Sequence, residues 1–324
     1  MKNTELFLNA INQEINQIEY PESPKELYDP IAYILALGGK RIRPVLTLMG
    51  AEIFTESPLK SMPAAMAIEV FHNFTLLHDD VMDNADIRRG KPTVHKKWNE
   101  NAAILSGDAM LILAYQFLAK VDPLKLPQLL PLFSKTAIEV CEGQQFDMEF
   151  ESRMDVRVEE YMEMIRLKTA VLLGCALKLG ALNGGADMKD ADLLYEYGES
   201  IGLAFQLKDD LLDVYGDVAK FGKNIGGDIV SNKKTFLLIN ALQNAEGPLK
   251  EELESWIAKQ VFDREEKIAA VRAIYDQLHL KELSEERMKY YYDKAIHALD
   301  QMSVHADKTN ELKQLAYQLM FRES

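Results

Sequence analysis

Asp79, Asp80 and Asp83 stand at relative positions 0, 1 and 4, Asp86 follows, and Arg88-Arg89-Gly90 comes directly after. A second set, Asp209, Asp210, Asp213 and Asp217, repeats that spacing and carries it one turn further. At about 100° per residue, side chains four apart are only about 40° from each other, so their carboxylates project from one helix face. Like charges so placed cost a helix about 0.2–0.5 kcal/mol per pair, which a bound cation would offset. Several oxygen donors with no Cys or His among them select a hard ion, so the expectation is Mg²⁺ clasped between two helices and holding a polyphosphate. An acidic run can also be a solvated helix face, but both sets are embedded in apolar sequence. Phe74 to Leu77 precedes the first, Leu203 to Phe205 precedes the second, and Leu211-Leu212 lies inside it. Neither has the alternate-position ligands, central Gly and terminal Glu of a calcium EF-hand loop.

Such side chains need long helices to hold them, and the punctuation of the chain supplies room for these. Ten of the eleven prolines lie at or before Pro131, leaving only Pro248 beyond it. Val158 to Leu182, Leu193 to Val214 and Leu283 to Met302 carry apolar residues recurring at three and four, the helical period, and almost no alternating β-branched runs appear. Turn signals separate these blocks at Asn183-Gly184-Gly185, Gly222 to Gly227 and Glu246-Gly247-Pro248. Earlier in the chain, one helix is expected from about Tyr28 to the Gly38-Gly39 break. Another is expected from near Pro63 through Val81, which puts the first aspartate set at a helix C-terminus. With no solenoid repeat, low-complexity linker or composition shift, the expected architecture is one large all-α domain spanning the chain.

Composition bounds the function classes. Over 324 residues, 48% hydrophobic and 27% charged is ordinary for a globular protein and too apolar for disorder. The 37 Lys and Arg against 51 Asp and Glu give a formal net charge of -14, which argues against general nucleic-acid binding. Eight of those acids belong to the two aspartate sets. Two cysteines, Cys141 and Cys175, are too few for a disulfide scaffold or zinc cluster and suggest a reducing compartment. The start of the chain shows no signal-peptide pattern, and no uninterrupted apolar run reaches the roughly 18 residues of a membrane span. The nearest approach, Ala170 to Leu182, carries Lys178. A soluble cytoplasmic protein is expected.

The segments Leu76 to Gly90 (LLHDDVMDNADIRRG), Phe205 to Asp217 (FQLKDDLLDVYGD) and Gly38 to Pro44 (GGKRIRP) together resemble the trans-type isoprenyl diphosphate synthases, the polyprenyl synthetase family. The resemblance implies the isoprenoid synthase type I fold, a bundle of helices in which the two aspartate motifs face each other across a central cavity. Three Mg²⁺ ions would bridge them to an allylic diphosphate. Asp79 and Asp83 are then metal ligands of the first motif and Asp209 the main ligand of the second, with Asp80 and Asp213 supporting. Arg88 resembles the arginine on the allylic diphosphate and Arg89 the one on isopentenyl diphosphate, and guanidinium forks suit phosphate oxygens. Lys40, Arg43 and His72 match further isopentenyl diphosphate contacts.

Lys168-Thr169 resembles the family's K-T pair, whose lysine binds the departing diphosphate while carbonyl and hydroxyl oxygens face the developing cation. Gln206 matches a glutamine adding its dipole there, the mirror image of an oxyanion hole. Gly143-Gln144-Gln145-Phe146-Asp147 matches G-Q-x-x-D, and Lys223 and Lys233 match two late diphosphate lysines. Asn232-Lys233-Lys234-Thr235 departs from the usual G-K-x-T, which leaves open whether Lys233 or Lys234 reaches phosphate.

The implied reaction is a head-to-tail 1'-4 condensation of isopentenyl diphosphate with allylic diphosphates. Phe74 and Thr75 hold the positions that set product length in the family, with Phe71 one turn deeper. At about 1.5 Å per residue, Phe74 lies roughly 7 Å and Phe71 roughly 12 Å below Asp79. This pattern favours a C20 product, geranylgeranyl diphosphate, with C15 as the alternative and longer chains behind. A class I terpene cyclase shares the first motif but usually carries an Asn/Ser/Glu second motif. A non-catalytic subunit usually lacks one aspartate motif, and head-to-head synthases lack the GGKRIRP pattern. A homodimer is implied by the resemblance alone.

Overall fold

The structure is a computed structural model and describes residues 2–216 and 225–321. It is all-α. The helices are α1 (Lys2–Asn16), α2 (Lys25–Ala36), α3 (Ile42–Glu52), α4 (Met62–Met82), α5 (Val94–Lys97), α6 (Glu100–Leu118), α7 (Leu126–Ser152), α8 (Val158–Ile165), α9 (Val171–Gly184) and α10 (Met188–Tyr215). Helices at Gly227–Val230, Phe236–Asn244, Gly247–Ala258, Arg264–Gln277, Leu280–Asp300 and Asn310–Phe321 follow. Among the described residues the only strand pairing is a two-residue hairpin, Ile87–Arg88 against Lys91–Pro92, directly after the first aspartate set.

The expected helices are present, with informative shifts at their ends. α2 starts at Lys25, earlier than Tyr28, because Pro30 is accommodated in its second turn, where few backbone bonds are lost. α4 carries Pro63 in its first turn, where a missing N–H costs nothing. The apolar block from Val158 is not one α-helix: residues Arg166–Ala170 form a π-helical turn between α8 and α9. The turn signal at Gly185 ends α9 with a left-handed φ of 104°, and Gly222 to Asn224 lie outside the described residues.

Tertiary contacts divide the chain into two compact units. One comprises the residues through Lys135 together with Cys175–Tyr195, and the other Thr136–Gly174 together with the residues from Glu196 onward. In the first unit α4 packs against α3 and α6. Its run from Ala64 to Phe71 is buried on every face, Glu69 included, as expected of a helix at the centre of a layered core. α6 has the length and composition of a membrane span and is a longer apolar helix than the Ala170 to Leu182 block. Its Ala103, Ser106, Gly107, Met110 and Ala114 are nevertheless buried, and it packs against α2 and α4. The second unit closes its own core around Tyr161, Leu203, Leu207, Leu211, Phe236, Leu237, Val271 and Ile274.

Candidate active site

In the first unit the GGKRIRP segment and the end of α4 build a cationic site. Gly38 and Gly39 take φ values of 76° and 134°, turning the chain sharply before α3. The Arg89 guanidinium lies over this turn and donates to the Gly38 carbonyl. A side chain at Gly39 would meet the movable end of that guanidinium at 2.8 Å, so it is the φ of 134° that requires glycine. Arg43 Nη1 meets His72 Nε2 at 3.2 Å. Burial, then Arg43, Arg89, Arg88 and Arg41 in that order, hold His72 well below the ordinary imidazole pKa, so at neutral pH it is an uncharged ring. Burial likewise draws Arg43 down to about 10. Its Nε finds no hydrogen-bond partner among the described residues. A buried donor left so costs about 1–3 kcal/mol, which an anionic ligand would relieve. Lys40 is exposed beside this cluster.

Two side chains that the sequence did not single out hold the cluster together. Arg41, with a left-handed φ of 47°, is buried and donates to the Glu69 carboxylate and the Leu35 carbonyl. Asn73 donates to the same Glu69 carboxylate at 2.8 Å. Breaking such a buried pair costs about 3–5 kcal/mol, so Glu69 anchors the start of α3 to α4. The available signal was a lone glutamate inside a wholly apolar stretch of α4.

The first aspartates separate by direction. Asp79 is half-buried and Asp83, which closes α4, is exposed. Asp80 is only 2% exposed, and the Arg88 guanidinium takes both its oxygens, with Nε at 2.9 and 2.8 Å and Nη2 at 2.7 Å. Its carboxylate therefore orients Arg88. Deeper on α4, Phe74 and Phe71 are buried with ring centroids 5.5 Å apart, and Phe71 meets Phe133 edge-on, also at 5.5 Å. Phe133 in turn meets Tyr115 at 5.1 Å. His78 abuts Phe74 at 4.8 Å and reaches the Ile104 carbonyl at 3.1 Å, while Thr75 hydrogen bonds to the His72 carbonyl. His78, Phe133 and Tyr115 had no reading from sequence, since their partners lie on α6 and α7, far along the chain.

The second unit builds its site around the π-helical turn, a feature frequent at functional sites. Lys168 and Thr169 lie within it. Gly143 on α7 permits the packing, because a side chain there would meet the Lys168 backbone nitrogen at 2.2 Å. One turn further along α7, Asp147 takes the Lys168 ammonium at 2.5 Å. This explains the spacing in Gly143-Gln144-Gln145-Phe146-Asp147. Thr169 donates to Gln206 Oε1 at 3.3 Å, and Gln206 Nε2 donates to Asp210 at 3.0 Å. These residues line a cavity of about 50 Å³ with Tyr161, Met164, Ile165, Lys233 and Thr235. Lys233 reaches the cavity, whereas Lys234 is buried with its ammonium on the carbonyls of Asn232 and Glu151. Lys223 and Asp217 lie outside the described residues.

Within α10, Asp209 is exposed, Asp213 half-buried and Asp210 buried. Burial pushes Asp210 up to about 6 despite hydrogen bonds from Tyr161 and Gln206. Asp228, which the sequence reading passed over, donates its backbone N–H to Asp213 at 2.9 Å. Burial, reinforced by Asp210, Asp213 and Asp147, pushes its carboxyl up to about 7, with Lys233 opposing. Among the described residues no three Asp, Glu, His or Cys side chains stand close enough to hold a metal ion by themselves. The donors are nevertheless all oxygen, and Asp210, Asp213 and Asp228 stand close together, with burial raising Asp210 and Asp228. That chemistry fits a hard divalent cation.

A sequence profile for polyprenyl synthetase matches residues 24–277. The geranylgeranyl diphosphate synthase of Methanosarcina mazei is 43% identical over 245 residues, 75% of either chain. A short chain isoprenyl diphosphate synthase of Methanocaldococcus jannaschii is 41% identical over 265 residues, covering 81% of this chain and 80% of its own. Among solved structures, a geranylgeranyl pyrophosphate synthase with 46% identity superposes with a TM-score of 0.92, covering 100% of this chain and 99% of the other.

Proposed function

The chain belongs to the polyprenyl synthetase family, and from that premise we propose that it condenses isopentenyl diphosphate head-to-tail with allylic diphosphates to give a C20 product, geranylgeranyl diphosphate. It is a trans-prenyltransferase, of a family generally dependent on divalent metal. The observation that carries the reading is the cavity on the π-helical turn. Lys168 and Lys233 offer cations to a phosphate, Thr169 and Gln206 offer neutral oxygens, and among the described residues no Ser, Cys or His lines it. Such a lining suits a reaction through a developing cation, a course that requires no nucleophilic side chain.

In this reading Asp79, Asp80, Asp83, Asp209 and Asp213 hold Mg²⁺, three ions per active site, with Asp80 acting mainly through Arg88. When bound, the ions would neutralise diphosphate charge and improve it as a leaving group. Lys168, Arg88, Lys223 and Lys233 bind the allylic diphosphate. Lys40, Arg43, His72 and Arg89 bind isopentenyl diphosphate, with neutral His72 as hydrogen-bonding partner. Thr169 and Gln206 turn oxygens toward the allylic carbon as its bond to diphosphate breaks. The isopentenyl double bond then attacks that carbon, and a proton passes to the released pyrophosphate. Buried Phe74 and Phe71 close the path of the growing chain after C20, or after C15 if Phe74 alone sets the floor.

We assign the chain as a single functional domain, cytoplasmic, and working as a homodimer. Exposed Ile104, Leu105 and Ile112 on α6 give a second copy an apolar surface to cover. One experiment covers these statements. Purified protein is sized by gel filtration, then incubated with Mg²⁺, labelled isopentenyl diphosphate and each allylic primer, and the products are separated by length. A dimer yielding mainly labelled C20 diphosphate is expected. A cyclic hydrocarbon, or primer consumed with no label incorporated, would falsify the proposal.

A further inference from the structure

Tyr161, on α8, has no role in the scheme above, yet its hydroxyl is the fourth polar group in a chain that begins at Thr169. The residue is 2% exposed and its ring packs 6.4 Å from that of Phe236. Its hydroxyl donates to Asp210 Oδ2. The other oxygen of the same carboxylate, Oδ1, accepts from Gln206 Nε2 at 3.0 Å. The far end of that amide, Oε1, accepts from the Thr169 hydroxyl at 3.3 Å.

An amide has a donor end and an acceptor end, and the cavity needs the acceptor. A carboxylate only accepts, so Asp210 decides which end of Gln206 it takes: the NH₂ group turns toward α10 and the oxygen toward Thr169. Asp210 can do this only if its own torsion is fixed, and at 5% exposure it is held by neighbouring side chains. Tyr161 supplies that constraint from a different helix, holding Oδ2 so that Oδ1 stays aimed at Gln206. Phenylalanine would fill the same space, so packing on Phe236 does not account for the hydroxyl.

We propose that Tyr161 is a positioning residue for prenyl transfer, acting through Asp210 to hold the Gln206 amide with its oxygen toward Thr169 and the reacting carbon. This rests on the prenyl-transfer reading given above. Without the hydroxyl, Asp210 turns, the Gln206 amide samples both orientations, and its NH₂ group is presented to a developing cation for part of the time.

The test is a double-mutant cycle of Tyr161→Phe and Gln206→Leu, with kcat, KM for both substrates and the Mg²⁺ concentration for half-maximal rate measured for each protein. Tyr161→Phe is expected to lower kcat about tenfold, the effect of one hydrogen bond to a charged group, with both KM values and the Mg²⁺ dependence unchanged. The double variant is expected to be no slower than Gln206→Leu alone, because the hydroxyl has nothing left to orient. Additive losses would overturn the proposal, as would a shifted Mg²⁺ dependence, which would place the effect at the metal ligands. Failure of Tyr161→Phe to fold would overturn it too, since the hydroxyl would then serve the fold. Wild-type protein in the same assay separates the two levels: no condensation there refutes the functional reading, whereas condensation with an additive cycle refutes only the role of Tyr161.

Discussion

The first unit gathers arginines around an uncharged histidine, and the second gathers aspartates around a lysine. In the first, burial and then Arg43, Arg89, Arg88 and Arg41 depress His72, and Glu69 and Asp80 supply close negative charge. In the second, burial raises Asp228, Lys233 opposes it, and Asp210, Asp213 and Asp147 add to the rise. One region is therefore short of an anion and the other short of a cation. Each matches half of what a metal-bound diphosphate chemistry requires, and the overall charge of -14 conceals both.

The two regions nevertheless use the same device. In each aspartate set the second member points about 100° away from the first, becomes buried, and orients another side chain. Asp80 aims Arg88, and Asp210 aims Gln206 under the Tyr161 hydroxyl. The first and third members are less buried than the second: Asp83 and Asp209 are exposed, and Asp79 and Asp213 are half-buried.

The largest effect that would break this comparison is removal of an outward aspartate. Asp79→Ala or Asp209→Ala should lower condensation on the order of 10³-fold, the several kcal/mol expected from loss of metal-assisted catalysis, with the helical circular dichroism intact. Near-normal turnover in either variant would remove the carboxylates from the reaction. A smaller effect concerns the aromatic stack. Phe74→Ala leaves Phe71 and Phe133 in place, so the main product should lengthen by about one five-carbon unit, roughly one helical turn of depth, while the overall rate stays within severalfold. An unchanged product distribution would show that the ring packs the core without limiting the chain.

The smallest effect is on stability, and the two regions give it opposite signs. Asp210 and Asp228 retain protons in the folded chain up to about 6 and about 7, whereas unfolded aspartates release theirs near 4. Their contribution to stability is thus fully present below about pH 4 and is lost as the pH rises toward 7. His72 is lowered in the folded chain, so its contribution is present above about pH 6.5 and is lost as the pH falls below that. Thermal melts without metal should then lose stability as pH rises from 5 to 7.5 in the wild type. The loss should steepen in His72→Gln, which removes the opposing trend. Added Mg²⁺ should restore stability mainly at the upper end. A melt indifferent to both pH and Mg²⁺ would count against the acidic cluster as a cation site.

Much of this was legible in the sequence because it is local. Helical periodicity located α4, α10 and the helix Leu280–Asp300, and the 0, 1, 4 spacing put paired carboxylates on one face. The π-helical turn was not legible: Arg166–Ala170 reads as continuous helix, and the close approach of Gly143 on α7 to Lys168 is a contact between distant segments. Glu69, Asp228 and Tyr161 escaped for a related reason. Each gains its meaning from a partner on another element, 28, 15 and 49 residues distant, Arg41, Asp213 and Asp210 in turn, and spacing along one helix carries no trace of such pairs. The differing directions of Lys233 and Lys234 were likewise not legible, since Lys234 is buried with its ammonium on two carbonyls while Lys233 lines the cavity.

The central claim is that the arginine-rich region is a ready anion site while the aspartate-rich region works through a cation. Calorimetric titration of metal-free protein with isopentenyl diphosphate tests it most directly. The account expects binding without metal that is weakened about ten- to a hundredfold by Arg89→Ala, the cost of a lost charge-assisted hydrogen bond, and unaffected by Asp209→Ala. Binding that appears only after Mg²⁺ is added, or that survives Arg89→Ala and fails in Asp209→Ala, would contradict it.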